Sequence, residues 1–367
     1  MPPAISSNWR GGRLWVPDVP IGKPPDAKRS TSARNAGSSR VQAAAAVWSI
    51  VGWSMAERLR GPDFFIVGAP KCGTTAMADY LGQHPEVGMA AAKERHYFGS
   101  DLHPRLARRR DRRARPAQRQ EWLDQRRDEY LELFTAVQDR RRLGEASVWY
   151  LYSSEAAGEI KEFSPEADII AMLRNPLEML PSLHSQFVHV GIEPVEDFEQ
   201  ALALDEERLQ SGTPPGFPPH SYRSAVRYAE QLRRYLDVFA RDRVHVIIYD
   251  EFRDRTRDVY RGTCEFLGVD PSYEPELEVV NPNKRVRSRA LRRLLWDTPE
   301  PVRGALHTIT SQSTRVRVGT ALKRWNTKFV ARKAPPDDAT RSLRPLVAQE
   351  VEELRDLLGV DLGYWLE

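Results

Sequence analysis

The 367-residue chain is 41% apolar and 29% charged, with 55 Lys+Arg against 51 Asp+Glu and a net charge of +4. That apolar share can bury a core, so a wholly disordered chain is excluded, and the length suits one large α/β domain or two small ones. The small positive excess fits an anionic ligand as well as a nucleic acid, and two cysteines, Cys72 and Cys264, exclude a disulfide framework or a zinc-type cluster and fit a reducing cytoplasm.

Residues 1–40 are rich in Pro, Ser, Gly, Arg and Lys and read as a disordered leader without a secretory signal. The next stretch, "VQAAAAVWSIVGWSMA" from Val41 to Ala56, carries no charge over 16 residues, short of the ~20 that span a bilayer. It reads as a helix packed on the domain or on a partner; a short membrane anchor or membrane-surface segment is the alternative. The ordered part is expected to begin near Gly61-Pro62, which divides the chain into 1–60 and a single domain over 61–367.

"FFIV" (Phe64–Val67) ends at a glycine, as a buried parallel strand does. A helix from Thr74 to Gln83 follows, stopped by His84-Pro85. "MAAAKERHYF" (Met89–Phe98) reads as a strand or a returning loop. Eight arginines then fall between Arg105 and Arg119. This insert over 103–121 reads as a solvated charge run or as a basic flap over an anionic acceptor. Helical spacing resumes from Trp122 to Ala136, and "GEASVWYLYS" (Gly144–Ser153) is strand-like. Ile169–Leu173 reads as a buried strand with Arg174 at its carboxyl end and Pro176 opening a helix. Amphipathic helices are expected over Phe198–Gln210 and Tyr222–Ala240, a strand over Arg243–Phe252, and helices over Arg257–Leu267 and Leu343–Leu358. The alternation predicts an α/β fold, a mostly parallel sheet resembling that of P-loop proteins with helices on both faces. Ligands of such sheets bind beyond the carboxyl ends of the strands, where Lys71 and Arg174 are both expected.

The loop "GAPKCGTT" (Gly68–Thr75) joins strand to helix. Such a turn aims several N–H groups and the positive end of the helix dipole outward. Gly68 and Gly73 allow close approach, and Thr74 and Thr75 add hydroxyl donors. A triphosphate loop, however, wants lysine where Thr74 stands, and Lys71 lies three residues earlier. The strand before Arg174 ends in Leu173, with no aspartate for a magnesium ion. A ligand with one phosphate joined to one other anionic group fits better. Cys72 reads as a small side chain suited to a tight turn, with a reactive thiol as the alternative.

"GAPKCGTT" resembles the 5′-phosphosulfate loop of sulfotransferases that use 3′-phosphoadenosine 5′-phosphosulfate (PAPS). "RNPLEMLPS" (Arg174–Ser182) is similar to that family's 3′-phosphate signature, and "KERHYF" (Lys93–Phe98) resembles a segment of its heparan sulfate enzymes. The resemblance runs from about Phe64 to Trp296 and departs at Met179, Pro181 and Ala146. It implies a metal-free transfer from PAPS to an acceptor hydroxyl on a carbohydrate or small metabolite, with no specific nucleic-acid partner. Lys71 would neutralise charge on the leaving phosphate. Lys71, Cys72, Gly73, Thr74 and Thr75 would hold the 5′-phosphate, and Arg174 and Ser182 the 3′-phosphate. Glu94 would be the base, with His96 as the alternative base or an acceptor-orienting group. Strand alternation would set Glu94 and His96 on one face. Arg287, Ser288 and Arg289 would close over the 3′-phosphate and adenine, unless they simply begin a basic helix. Two other readings compete: a P-loop kinase or NTPase, and a non-enzymatic binder of anionic polymers driven by the arginine runs.

Overall fold

Phe64–Gly68 (β1) is buried at every position, which a strand achieves only when both faces of its sheet are covered. The computed structural model describes residues 59–102, 126–210, 221–277, 284–286, 327–329 and 337–367. The expectations for residues 1–58, for the insert over 103–121 and for Arg287, Ser288 and Arg289 fall outside the described residues.

β1 is the middle strand of a five-stranded sheet with β2 (Val87–Met89), β3 (Arg142–Ala146), β4 (Asp168–Leu173) and β5 (Val244–Ile248), in the order β2-β3-β1-β4-β5. Every pairing is parallel, so all five carboxyl ends open on one edge. The six residues of β4 are likewise all buried. The expected α/β sheet flanked by helices is therefore what forms. At the opposite edge, Arg142 binds Asp63 at 2.5 Å and Asp168 at 2.6 Å, which fixes the amino ends of the strands away from the ligand side.

α1 (Thr74–Gln83), α2 (Ala156–Phe163), α3 (Pro176–Val190), α4 (Phe198–Gln210), α5 (Tyr222–Ala225), α6 (Tyr228–Leu236), α7 (Tyr249–Asp254), α8 (Thr256–Leu267) and α9 (Asp337–Leu358) complete the described helices labelled here. Four expectations need correction. The strand-like stretch 144–153 stops at Ala146, because Trp149, Tyr150 and Leu151 are all buried in succession by a turn in which Ser153 N–H reaches the Trp149 carbonyl at 3.1 Å. The strand expected to Phe252 ends at Ile248, where α7 begins. The helix expected over Tyr222–Ala240 is broken after Ala225. A new N-terminus forms at Tyr228, and the Glu350 carboxylate from α9 accepts the Ala229 N–H at 3.1 Å. Finally, residues 126–131 are helical as expected, but a tighter turn, Glu132–Val137, takes over.

Close packing at the sheet centre makes one position intolerant. A β-carbon on Gly144 of β3 would lie 2.1 Å from Phe64 Cζ. Overpacking of this kind costs roughly 1–3 kcal/mol. Gly144→Ala is thus expected to lower Tm by about 2–4 °C for each kcal/mol lost, as a thermal melt would read.

Candidate active site

The loop after β1 carries the chemistry that the sequence singles out. The Ala69 N–H donates to the Met172 carbonyl of β4 at 2.7 Å, which ties the loop to the neighbouring strand. Lys71 turns the chain at φ 65°, and Gly73 caps α1 at φ 89°, the left-handed conformation that glycine adopts without cost. A β-carbon on Gly73 would press on Phe252 at 3.1 Å and Tyr249 at 3.3 Å, so α7 is packed directly on the turn. Thr74 and Thr75 form the first helical residues, where backbone N–H groups lack intrahelical acceptors. Cys72 differs from its neighbours. It is fully buried, its Sγ faces the Pro70 carbonyl at 3.4 Å, and its own N–H returns to Ala69. Burial pushes its thiol up to about 12, against the pull of Arg174. Its side chain serves the packing of the loop and is not a reactive thiol.

Arg174 leaves the end of β4 almost entirely buried, at 2% exposure. One guanidinium nitrogen donates to the Lys71 carbonyl at 3.4 Å, Nε binds Glu178 at 3.1 Å, and Nη2 also contacts Glu178. The guanidinium lies over the Tyr249 ring, 4.4 Å from its centroid. Strand end, loop and α7 thus converge on one cation. Asn175 caps α3 through the Leu177 N–H at 2.9 Å, and Pro176 supplies the first helical residue. Two turns further on, Ser182 is buried on the same helix.

Glu94 and His96 do meet, but not as strand neighbours. Both adopt positive φ, 57° and 48°, in a loop beyond β2. Glu94 Oε2 lies 3.2 Å from His96 Nε2 and accepts the Val148 N–H at 3.2 Å. Its own N–H donates to Ala146 at the end of β3, 3.0 Å away. Val148 in turn abuts the phosphate-type loop, since a β-carbon on Gly68 would sit 2.8 Å from its carbonyl oxygen. Glu94 remains partly solvated at 39% side-chain exposure, whereas His96 is buried. The carboxylate is therefore anchored through one oxygen beside the loop.

Tyr249, Val148 and Glu178 are contributors that the sequence reading missed. Tyr249 follows a strand end, as Arg174 does, and that position in an open parallel sheet was the available signal. Trp149 and Tyr150 belong to the core, with Trp149 stacked on Phe187 at 6.2 Å. No helix among the described residues is long and apolar enough to cross a membrane.

An open parallel sheet with a glycine-turned helix N-terminus, a lysine and a buried arginine at its carboxyl edge is an arrangement chemically suited to a phosphate-bearing ligand. The Sulfotransferase family model matches residues 62–275, more than half the chain and every site residue just described, so the chain belongs to the sulfotransferase family. It is 27% identical over 263 residues to carbohydrate sulfotransferase 15 of Rattus norvegicus, covering 59% of this chain and 45% of that protein. The chain thus spans less than half the length of that relative. A shorter match, 27% identical over 117 residues, joins it to the membrane-associated sulfotransferase kil1 of Dictyostelium discoideum, covering 32% of this chain and 21% of that one. Among solved structures, a sulfotransferase from Alicyclobacillus acidocaldarius superposes with a TM-score of 0.59 at 29% identity, over 84% of this chain and all of that one.

Proposed function

We propose that this sulfotransferase moves a sulfuryl group from PAPS to a hydroxyl of a carbohydrate or small metabolite. The observation that carries the reading is the convergence of the Lys71–Thr75 turn, the buried Arg174 and the tethered Glu94 on one edge of the sheet. The residues suit the donor. An N-terminal helical turn with two threonines accepts an anion, and Arg174 offers a guanidinium already held against that turn. PAPS supplies an activated sulfuryl group joined to a phosphate leaving group.

In this reading Gly73, Thr74 and Thr75 bind the 5′-phosphate, and the Lys71 ammonium stabilises charge on the departing oxygen. Arg174 and Ser182 grip the 3′-phosphate, Arg174 through a charge-assisted bond. Glu178, at 43% side-chain exposure, can release one guanidinium edge to the ligand at little desolvation cost. Glu94 takes the proton of the attacking hydroxyl with its second oxygen, while His96 orients that carboxylate or the acceptor. Transfer needs positioning and charge stabilisation more than covalent help from the protein. A cytoplasmic location belongs to the same proposal and is supported by two buried, unbridged thiols.

A thermal shift with 3′,5′-adenosine bisphosphate (PAP) and mass spectrometry of a cell extract incubated with PAPS test the reading. Absence of both a shift and any added sulfuryl group would sink it. Glu94→Gln is expected to slow transfer by roughly 10²–10⁴-fold, the usual share of a general base, with PAP affinity unchanged. An equal loss of PAP affinity in a calorimetric titration would move Glu94 out of the base role.

A further inference from the structure

Glu145 is the penultimate residue of β3 and is fully buried. Its carboxylate accepts from Ser147 Oγ at 2.5 Å and from the Tyr130 hydroxyl at 3.5 Å, and the buried Tyr150 hydroxyl lies within reach of its charge. The transfer chemistry makes no use of this group. Ser147 and Tyr150 are both engaged by the site loop. Ser147 Oγ accepts the His96 N–H at 3.2 Å, and the Tyr150 oxygen accepts the N–H groups of Tyr97 at 2.9 Å and Phe98 at 3.3 Å. An ionised carboxylate can only accept, so it draws each hydroxyl proton toward itself. The oxygen lone pairs are then left for three consecutive backbone donors.

We propose that Glu145 is a positioning residue: through Ser147 and Tyr150 it holds residues 96–98, and with them Glu94 and His96, in the geometry that serves the acceptor hydroxyl. This rests on the transfer reading above. The loop needs such a hold because Glu94 and His96 both sit at positive φ, a conformation that costs about 1–3 kcal/mol per residue unless its surroundings impose it. Ring packing supports the same segment, with Tyr97 stacked on Tyr130 at 4.2 Å and Phe98 edge-on to Phe65 at 5.7 Å. Rings position side chains, however, and leave backbone N–H groups without acceptors; the hydroxyls supply those.

The hold is expected to respond to pH. Burial pushes Glu145 up to about 7. The titratable groups facing it are Lys93 and Glu94 from the loop, Tyr130 and Tyr150 around the carboxylate, and Tyr235 from α6. Glu94 raises Glu145 further by like charge. Once protonated, Glu145 becomes a donor to one hydroxyl, and that hydroxyl loses the acceptor that oriented it.

The test uses the full chain as wild type, Glu145→Gln and Glu145→Asp. Three readouts are taken: PAP affinity by calorimetry, amide exchange of a peptide spanning 93–98, and PAPS hydrolysis with water as the acceptor. Glu145→Gln is expected to bind PAP as the wild type does, while exchange in 93–98, corrected for intrinsic rate, quickens and hydrolysis falls by roughly 10–10²-fold. The wild type should lose hydrolysis and loop protection below pH about 7, a limb that Glu145→Gln lacks and Glu145→Asp restores. Unchanged protection and an unchanged pH profile in Glu145→Gln would overturn the proposal. So would loss of PAP binding together with the melting transition, which marks a scaffold residue alone. If the wild type itself fails to bind PAP, the transfer reading falls, and loop exchange still decides what Glu145 holds.

Discussion

Lys71→Ala is expected to lower sulfuryl transfer by roughly 10²–10³-fold, the loss typical when one preorganised charge facing a developing anion is removed. The substitution is clean because of the backbone. Lys71 sits at φ 65°, and alanine meets the same left-handed penalty as lysine there. Fold stability should therefore move little, and the turnover change reports the ammonium. Lys71→Arg should not rescue, since a planar fork on a different stem places its charge elsewhere. Single-turnover measurement with radiolabelled PAPS, beside a thermal melt, reads both quantities. Turnover within a few-fold of wild type would remove Lys71 from the leaving-group role.

Arg174→Ala is expected to weaken PAP binding by about 10²-fold or more, corresponding to roughly 3 kcal/mol for a desolvated charge-assisted contact. The guanidinium is 2% exposed, stacked at 4.4 Å on Tyr249 and held beside the Lys71 carbonyl, so it is oriented before any ligand arrives. Preorganisation of this kind is why Arg174→Lys should recover little: a lysine keeps the charge but loses both the stack and the fork. The partner left behind, Glu178, is 43% exposed and stays hydrated, so the fold survives the loss. Calorimetry with PAP against 3′-dephosphorylated adenosine 5′-phosphate separates the effects. If Arg174→Ala binds both ligands with unchanged affinity, Arg174 is an ion-pair residue of the fold and nothing more.

The two substitutions divide the site by what each measures. In the proposed mechanism Lys71 acts on the charge that appears during transfer, so its loss is expected in turnover. Under the same proposal Arg174 acts on charge present throughout, so its loss is expected in binding. Glu94 joins the first group, and its single anchored oxygen leaves the second one available to a proton.

Much of the frame was legible in order along the chain. β1, α1, β4 and α8 lie close to where apolar runs, glycines and prolines put them, because local signals set them: a buried apolar run, a helix N-terminus after Gly73, Pro176 at N1, and Gly268 at φ 67° ending α8. The turn from Gly68 to Thr75 was legible for the same reason, as glycines and threonines announce its backbone geometry. The family resemblance carried on those residues agrees with the family model over 62–275.

What the sequence alone determined is therefore the chemistry of short, contiguous stretches: a strand–turn–helix with Lys71 displaced from a triphosphate slot, and an arginine at a strand end. Contacts between distant segments required the tertiary structure. Period-two alternation suggested a shared face for Glu94 and His96, but both are left-handed residues, the Glu94 N–H bonding the Ala146 carbonyl and the His96 N–H the Ser147 hydroxyl 51 positions away. The break before α6 is set by Glu350, 121 residues downstream, and the seat of Arg174 by Tyr249 and the Lys71 carbonyl. Buried hydrogen-bonding groups must find partners wherever the fold brings them, and no local pattern states which partner that will be.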